Sequence, residues 1–216
     1  MEKELYFSLS NRKEKIHEWL TMCKETKSHQ PFKLNLDKAA LLVLDMQNFF
    51  VDKNSHAYVP SVGSIIPTIN SLISFMSDKK RPIIYTRHIT SDKSDDLMRK
   101  WWRDDISSDD QLSEITNFID SEKGIVITKN KYSVFYSNEF TKLLKESPVE
   151  QLIITGVMSH LCCETTARDA FMNGFEVFFV VDGTATYSEH LHIGTIRAIS
   201  HGFGICLSSE EILNEK

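Results

Sequence analysis

The chain has 216 residues, and its 41% hydrophobic and 25% charged fractions are typical of a soluble globular domain with a substantial core. The formal net charge of -5 and the lack of a long basic run argue against nucleic acid as a partner. No apolar stretch is long enough to span a membrane, and the N-terminus carries no apolar signal core. The four cysteines lack the spacing of a disulfide framework or a zinc knuckle, so we expect reduced thiols in a cytoplasmic protein.

The pattern of the chain predicts a helical N-terminal extension at 1–37 followed by one domain at 38–216. Within the extension, apolar residues at three- and four-residue spacings predict a helix over 10–27. A polar connector at 28–37 follows it. We expect the helix to pack on the edge of the domain or on a second subunit.

Short apolar runs alternate with stretches that carry apolar residues at helical spacing. This alternation predicts an α/β fold of three layers, in which a six-stranded, mostly parallel sheet has helices on both faces, as in Rossmann-like proteins. The predicted strands are 39–44, 83–86, 124–128, 151–155, 175–181 and 204–207. The predicted helices are 62–76, a short helix early in the charged stretch 89–121, 110–120, 138–145, the residues after 162, and 189–201.

Three polar residues stand at or just beyond the ends of predicted strands, namely Asp45, Lys129 and Cys162. Because the carboxyl ends of parallel strands share one rim, these side chains can converge. The lysine and the N-terminus of the following helix would lower the pKa of the Cys162 thiol, and a carboxylate in reach could accept its proton. The alternative interpretation is that Asp45 is a turn residue and that Cys162 and Cys163 are small core residues.

The blocks LLVLDMQNFF, KNKYSVF and ITGVMSHLCCETTARDAF surround these three residues, and they occur in this order across most of the chain. In these blocks the sequence resembles the isochorismatase-like cysteine hydrolases. The resemblance implies Asp45 as the base, Lys129 as its cationic partner and Cys162 as the nucleophile. It also implies a cis peptide between Val157 and Met158, an oxyanion held by the backbone N–H groups of Met158 and Cys162, and a homo-oligomer, either a dimer or a tetramer.

The resemblance leaves two chemistries open. In the amide-cleaving branch, which is nicotinamidase-like or carbamoyl-sarcosine amidohydrolase-like, Cys162 would attack a carbonyl and form a thioester that water hydrolyses. The YTRH stretch at 85–88 and the Trp-Trp-Arg stretch after it favour this branch. A true isochorismatase would instead hydrolyse the vinyl ether of isochorismate to pyruvate and 2,3-dihydro-2,3-dihydroxybenzoate, and the block around His160 resembles such enzymes. Because isochorismatases typically have glycine at the position of Cys162, the amide chemistry is favoured. A third hypothesis is a non-catalytic binding or scaffold protein.

Several side chains near the strand ends are candidates for binding a small-molecule substrate. Arg87 would suit a substrate carboxylate, or it would be a solvated surface residue. His160 would touch the substrate or pack at the start of the helix, and the tryptophans at 101–102 would form a lid, an oligomer contact or ordinary packing. The candidates are Gln47, Phe50, Arg87, Trp102, Tyr132 and His160.

We predict neither a metal nor another cofactor. Asp52, His56 and His88 follow the first two predicted strands, but they lack the spacing with which some nicotinamidase-like proteins hold a metal. The sequence does not name the substrate, since the pocket walls are expected from 46–60 and 88–108, where patterns are least regular.

Overall fold

Six parallel strands form the centre of the computed structural model, which describes residues 2–26, 31–91 and 97–215. The strands are β1 (Ala39–Leu44), β2 (Ile83–His88), β3 (Ile125–Lys129), β4 (Gln151–Val157), β5 (Glu176–Ala185) and β6 (Ile205–Leu207). Their order across the sheet is β3-β2-β1-β4-β5-β6, and every neighbouring pair is parallel. The predicted α/β fold is therefore confirmed, with a sheet that is parallel throughout.

The helices cover both faces of this sheet. Strand order runs one way from β1 to β3 and the other way from β4 to β6, and right-handed crossovers place the connecting helices of the two halves on opposite faces. The helix Val62–Asp78, which connects β1 to β2, packs against β1, β2, β4 and β5. The helices that follow β4 and β5 pack against each other. The helices are α1 (Arg12–Thr26), α2 (Asn48–Val51), α3 (Val62–Asp78), α4 (Leu97–Trp102), α5 (Asn138–Lys145), α6 (Glu164–Met172), α7 (Glu189–Gly202) and α8 (Ser209–Leu213).

The two central strands, β1 and β4, are buried along their whole length, as their continuous apolar runs require. They pair from Ala39 opposite Gln151 to Leu44 opposite Gly156. Gly156 has a φ of 108°, and a Cβ atom there would collide with the backbone of Leu44. Only glycine allows β1 and β4 to approach so closely near their carboxyl ends.

Some predicted elements differ from the structure. The helix predicted over 110–120 is wrong, because only a short 3₁₀ turn, Gln111–Ser113, forms there. The Asp110 side chain accepts a hydrogen bond from the backbone N–H of Leu112, which competes with continued helix formation. Helix α8 was not predicted, although Ser208 and Glu211 form a reciprocal capping box at its start.

Residue 27, the last of the helix predicted over 10–27, lies outside the described residues, and two further stretches with sequence predictions fall partly outside them. These are the start of the connector, at 28–30, and residues 92–96 of the charged stretch. Within the described ranges, no helix is both long and apolar enough to cross a lipid bilayer.

The N-terminal segment packs into the same core as the sheet. Trp19 of α1 is fully buried, and its indole N–H donates to Glu189 at the start of α7 over 3.1 Å. Ahead of the helix, Phe7 is also buried, and its backbone N–H donates to Ser61 Oγ over 3.1 Å. Residues 2–26 therefore cover the edge of the domain, one of the two positions expected from the sequence.

Candidate active site

The structure brings together the three polar residues singled out from the strand ends. Lys129 Nζ donates to Asp45 Oδ2 over 2.7 Å and lies 3.4 Å from Cys162 Sγ. It also donates to the backbone oxygen of Lys131 over 3.0 Å. All three side chains are buried, so the cluster consists of an ion pair and a thiol shielded from bulk water.

Asp45 is fixed by the neighbouring strand as well as by Lys129. Its backbone has a positive φ of 51°, and its N–H donates to Thr86 Oγ1 over 3.1 Å. The Thr86 hydroxyl in turn donates to Asp45 Oδ1 over 2.5 Å. Each carboxylate oxygen thus has its own donor. Sequence reasoning missed Thr86, although a polar residue near the end of an apolar strand was the available signal.

Cys162 lies in a single π-helical turn, Ser159–Cys163, that joins β4 to α6. The peptide between Val157 and Met158, just before this turn, is cis. Helical backbone thus begins before Cys162 rather than at it, and such turns occur frequently at functional sites.

Two hydrogen bonds fix this turn to the rest of the fold. Ser159 Oγ lies 3.0 Å from His192 Nδ1 on α7, and His160 Nδ1 lies 2.6 Å from Thr186 Oγ1. His160 was a candidate substrate ligand, but its ring is directed to Thr186 and does not line the cavity beside Cys162. Its role in the described structure is to position the turn.

The thiol does not have the low pKa expected from its position. Burial raises the pKa of Cys162 and the negative charge of Asp45 raises it further, while the nearby Lys129 ammonium only partly opposes them. Burial alone would lower the pKa of Lys129, but the interactions with its neighbours, above all the negative charge of Asp45, outweigh burial and raise that pKa. The resting cluster therefore contains a neutral thiol beside a lysine ammonium, with Asp45 as the adjacent proton acceptor.

A cavity of about 280 Å³ opens onto Cys162. Its walls are largely apolar, and aromatic side chains form much of them. The indole N–H of Trp102 donates to the Tyr132 hydroxyl over 2.7 Å, which joins α4 to the loop after β3. The aromatic lining residues are Phe49, Phe50, Trp102, Tyr132 and Tyr187.

Three of the six candidate substrate ligands, Phe50, Trp102 and Tyr132, line this cavity, whereas Gln47 and Arg87, like His160, do not. The Gln47 amide donates to the backbone oxygens of His88 and Ser113 over 2.9 and 2.7 Å.

Arg87 donates to the backbone oxygens of Ser113 and Ser108 over 2.9 and 2.7 Å, and it pairs with Glu114. A side chain committed to these contacts is not directed toward a substrate. Gln47 and Arg87 instead hold the loop at 107–114 against the strand ends.

Several cavity residues were missed by sequence reasoning. Phe49 falls in the aromatic stretch that was expected to form a pocket wall, but Lys3 and Tyr187 come from distant parts of the chain. His56 and Asp104 also line the cavity and pair through Nε2 and Oδ2 over 2.5 Å. His56 and Asp104 fall in the stretches 46–60 and 88–108 that were expected to form the pocket walls, whereas nothing in the sequence pointed to Lys3 and Tyr187.

No group of three or more histidine, cysteine, aspartate or glutamate side chains within the described ranges could hold a metal ion. Of the three residues weighed for such a site, Asp52 lies apart from the two histidines. Asp52 Oδ1 accepts from the backbone N–H of Asn54 over 2.9 Å, whereas His56 and His88 line the cavity.

Comparisons of the sequence and of the fold with known proteins point to the same family of hydrolases. A sequence model of the isochorismatase domain matches residues 39–211. The chain is 34% identical to Nicotinamidase 3 of Arabidopsis thaliana, over 87% of this chain and 92% of that protein. It is 32% identical to the isochorismatase of Bacillus subtilis (strain 168) over 72% of this chain, and the match spans 51% of that protein. The fold resembles the crystal structure of a cysteine hydrolase from Pseudomonas syringae pv. phaseolicola 1448A, with a TM-score of 0.79 and 24% identity over 84% of this chain and 93% of that one.

Proposed function

Because the chain belongs to the isochorismatase family of hydrolases, we propose that it cleaves a C–N bond of a small amide or carbamoyl compound through a thioester on Cys162. The observation that carries this proposal is a buried thiol that opens onto the cavity and lies 3.4 Å from Lys129 Nζ, which holds Asp45. A vinyl-ether hydrolase has no need of a thiol at this position. Similarity to a nicotinamidase over most of that protein's length also favours amide chemistry.

The first step is attack by the thiol on the substrate carbonyl. Because the thiol is neutral at rest, Asp45 accepts its proton as Sγ bonds to the carbonyl carbon. The carbonyl π electrons move to oxygen, and the backbone N–H groups of Met158 and Cys162 stabilise the oxyanion. Lys129 remains an ammonium and stabilises the sulfur while negative charge moves from Asp45 through the sulfur to the carbonyl oxygen.

The second step breaks the C–N bond. Asp45 returns the proton to the leaving nitrogen, so ammonia or an amine departs and an acyl group remains on Cys162 as a thioester. A water molecule then gives a proton to Asp45 as it attacks the thioester carbonyl. Collapse of this second intermediate releases the acid, and the proton returns to sulfur. The same carboxylate therefore acts as base and acid in alternation.

The cavity walls suggest which amides to try first. Phe49, Phe50 and Tyr187 offer flat apolar surfaces, and Trp102 with Tyr132 closes another side. Planar aromatic carboxamides would bury their rings favourably against such walls. Nicotinamide is therefore the first test compound, with N-carbamoylsarcosine as the non-aromatic comparison.

The test is ammonia release by the wild-type protein and by Cys162→Ala and Cys163→Ala. Cys163 is the matched control because its buried sulfur lies 3.9 Å from the backbone oxygen of Thr155, within the core. We expect turnover by the wild type and the control, and loss in Cys162→Ala. Mass spectrometry after rapid acid quenching should find the acyl group on Cys162. Turnover that persists in Cys162→Ala would refute the thioester.

Vinyl-ether hydrolysis is the second candidate, favoured by the similarity to a protein named isochorismatase. Pyruvate release from isochorismate by the wild type and Cys162→Ala at similar rates would support it over amide cleavage. Binding of these compounds without formation of any product would instead support the non-catalytic hypothesis.

A further inference from the structure

The first residues of the chain reach the candidate active-site cavity, although they lie outside the matched domain at 39–211. Hydrogen bonds to the backbone of residues 186–187 hold them there. The Glu4 N–H donates to the Tyr187 oxygen over 2.9 Å, and the Tyr6 hydroxyl accepts from the Thr186 N–H over 3.1 Å. Lys3 is thereby placed in the cavity wall next to Tyr187.

The Lys3 side chain is held in one position by its neighbours. Its Nζ donates to the backbone oxygens of His56 and Tyr58 over 2.5 and 3.1 Å, and it lies 4.2 Å from the centre of the Tyr187 ring. These acceptors are neutral, so they fix the ammonium without cancelling its charge. Among the described residues, no carboxylate forms an ion pair with Lys3.

The charges around the cavity favour an anion as well. The charged side chains in its described lining are Lys3, Arg99 and Asp104. Arg99 pairs with Asp105 over 2.6 Å and Asp104 pairs with His56, which leaves Lys3 as the lining cation without a carboxylate partner among the described residues. An ammonium without a carboxylate partner, in the wall of a largely apolar cavity, favours binding of an anion there. Burial lowers the pKa of Lys3, and an anion bound nearby would favour its charged form.

We infer that Lys3 binds a carboxylate of the substrate, so that the amide cleaved at Cys162 carries a negatively charged group away from its scissile bond. This inference rests on the proposed amide hydrolysis and narrows its substrate class. Tyr187 supports the same contact, because its ring packs against the ammonium and its backbone anchors Glu4. The N-terminal segment thus supplies a specificity residue that the matched domain does not contain.

The experiment measures binding, so that it stands apart from turnover. Two matched pairs of probes are titrated calorimetrically into the Cys162→Ala protein: 3-carbamoylbenzoate against benzamide, and succinamate against butanamide. Each titration is repeated with Lys3→Met, Lys3→Arg and Lys13→Met added. Lys13 is an exposed lysine on α1 and serves as the matched control. Thermal melts establish that each variant is folded.

We expect the carboxylated member of at least one pair to bind about tenfold more tightly than its neutral partner, as a charged hydrogen bond at a partly exposed site allows. Lys3→Met should remove this preference, while Lys3→Arg and Lys13→Met should retain it. Equal binding of both members, absence of binding by both, or a preference that survives Lys3→Met would overturn the inference. If the preference depends on Lys3 but the wild type hydrolyses no amide, the proposed reaction fails while the anion site stands.

Discussion

Replacing Asp45 with asparagine should cost the protein much of its stability. Both side chains of the Lys129–Asp45 pair are almost wholly inaccessible to water, and their charged atoms lie 2.7 Å apart. Asparagine keeps the shape of aspartate, and its amide oxygen can still accept from the Thr86 hydroxyl, which now bonds to Oδ1. The change therefore keeps the shape of the side chain but removes the negative charge and, because the amide NH2 then faces Lys129, the acceptor of the Lys129 hydrogen bond.

The magnitude follows from what remains around Lys129. Its ammonium keeps the Lys131 backbone oxygen at 3.0 Å and the Cys162 sulfur at 3.4 Å, neither of which carries a formal charge at rest. Breaking a buried ion pair on one side costs about 3–5 kcal/mol, because the other charge stays buried without compensation. The double variant Asp45→Asn/Lys129→Met removes both charges, so it should be more stable than Asp45→Asn alone.

Urea unfolding at pH 7, followed by circular dichroism, measures these differences. The control is Glu150→Gln, which breaks the Lys38–Glu150 pair of the same 2.7 Å length on the surface. Because that pair is exposed, its loss should change the free energy of unfolding little. An Asp45→Asn protein as stable as Glu150→Gln, or a double variant less stable than the single one, would refute the reasoning.

Three further results are expected. Burial and Asp45 raise the pKa of Cys162, so the rate at which iodoacetamide alkylates that thiol should increase with pH up to pH 9. The same increase is expected in Cys163→Ala. A rate that reaches a plateau below pH 7 would instead show a thiolate at rest. Burial lowers the pKa of His192 to about 3, so below pH 6.5 the unfolded state binds a proton that the folded state refuses, and stability should fall as pH falls by about 1.4 kcal/mol per unit. Urea titrations should find this slope reduced in His192→Gln and kept in His17→Gln, an exposed control; identical slopes in all three proteins would contradict it. Gly156→Ala should unfold at a far lower urea concentration than Gly174→Ala. Both positions have a positive φ, but only at Gly156 would a Cβ atom collide with backbone. Equal urea midpoints would show that Leu44 moves aside at little cost.

The fold was largely predictable because its signals are local. A strand buried on both faces must be apolar throughout, so AALLVL and the run at 151–155 could be recognised without knowledge of their partners. The helix predicted over 110–120 failed for the opposite reason. Leu112, Ile115 and Ile119 have helical spacing, but Asp110 and the backbone of the loop form turns instead. Apolar spacing alone did not reveal that competition.

The candidate site was predictable only where it depends on the sheet. Asp45, Lys129 and Cys162 could be inferred to meet because each stands at or beyond the end of a strand, and parallel strands end on one side of the sheet. Lys3 and Tyr187 come from opposite ends of the chain, and neither carries a local pattern that points to a cavity. Their place in the cavity wall depends on how residues 2–8 pack against the rest of the folded domain.

The protonation state of Cys162 shows a related limit. Sequence position placed the thiol near a helix start and a lysine, and both of these lower a thiol pKa. Burial acts in the other direction, and its extent depends on side chains from the whole fold. Because burial outweighs the lysine, the pKa of Cys162 is raised rather than lowered. In the proposed mechanism, the raised pKa of Cys162 means that Asp45 must remove the thiol proton.

The kind of residue at each strand end follows from where that strand lies in the sheet. Strands β1 and β4 are neighbours at the point where strand order reverses, so the short side chains of Asp45 and Cys162 suffice there. Strand β3 lies two strands away from β1, about 10 Å across the sheet. Only a long side chain such as lysine can cross β2 and still place its charge 2.7 Å from the carboxylate. The strand between them contributes Thr86, whose short hydroxyl reaches the other oxygen of Asp45.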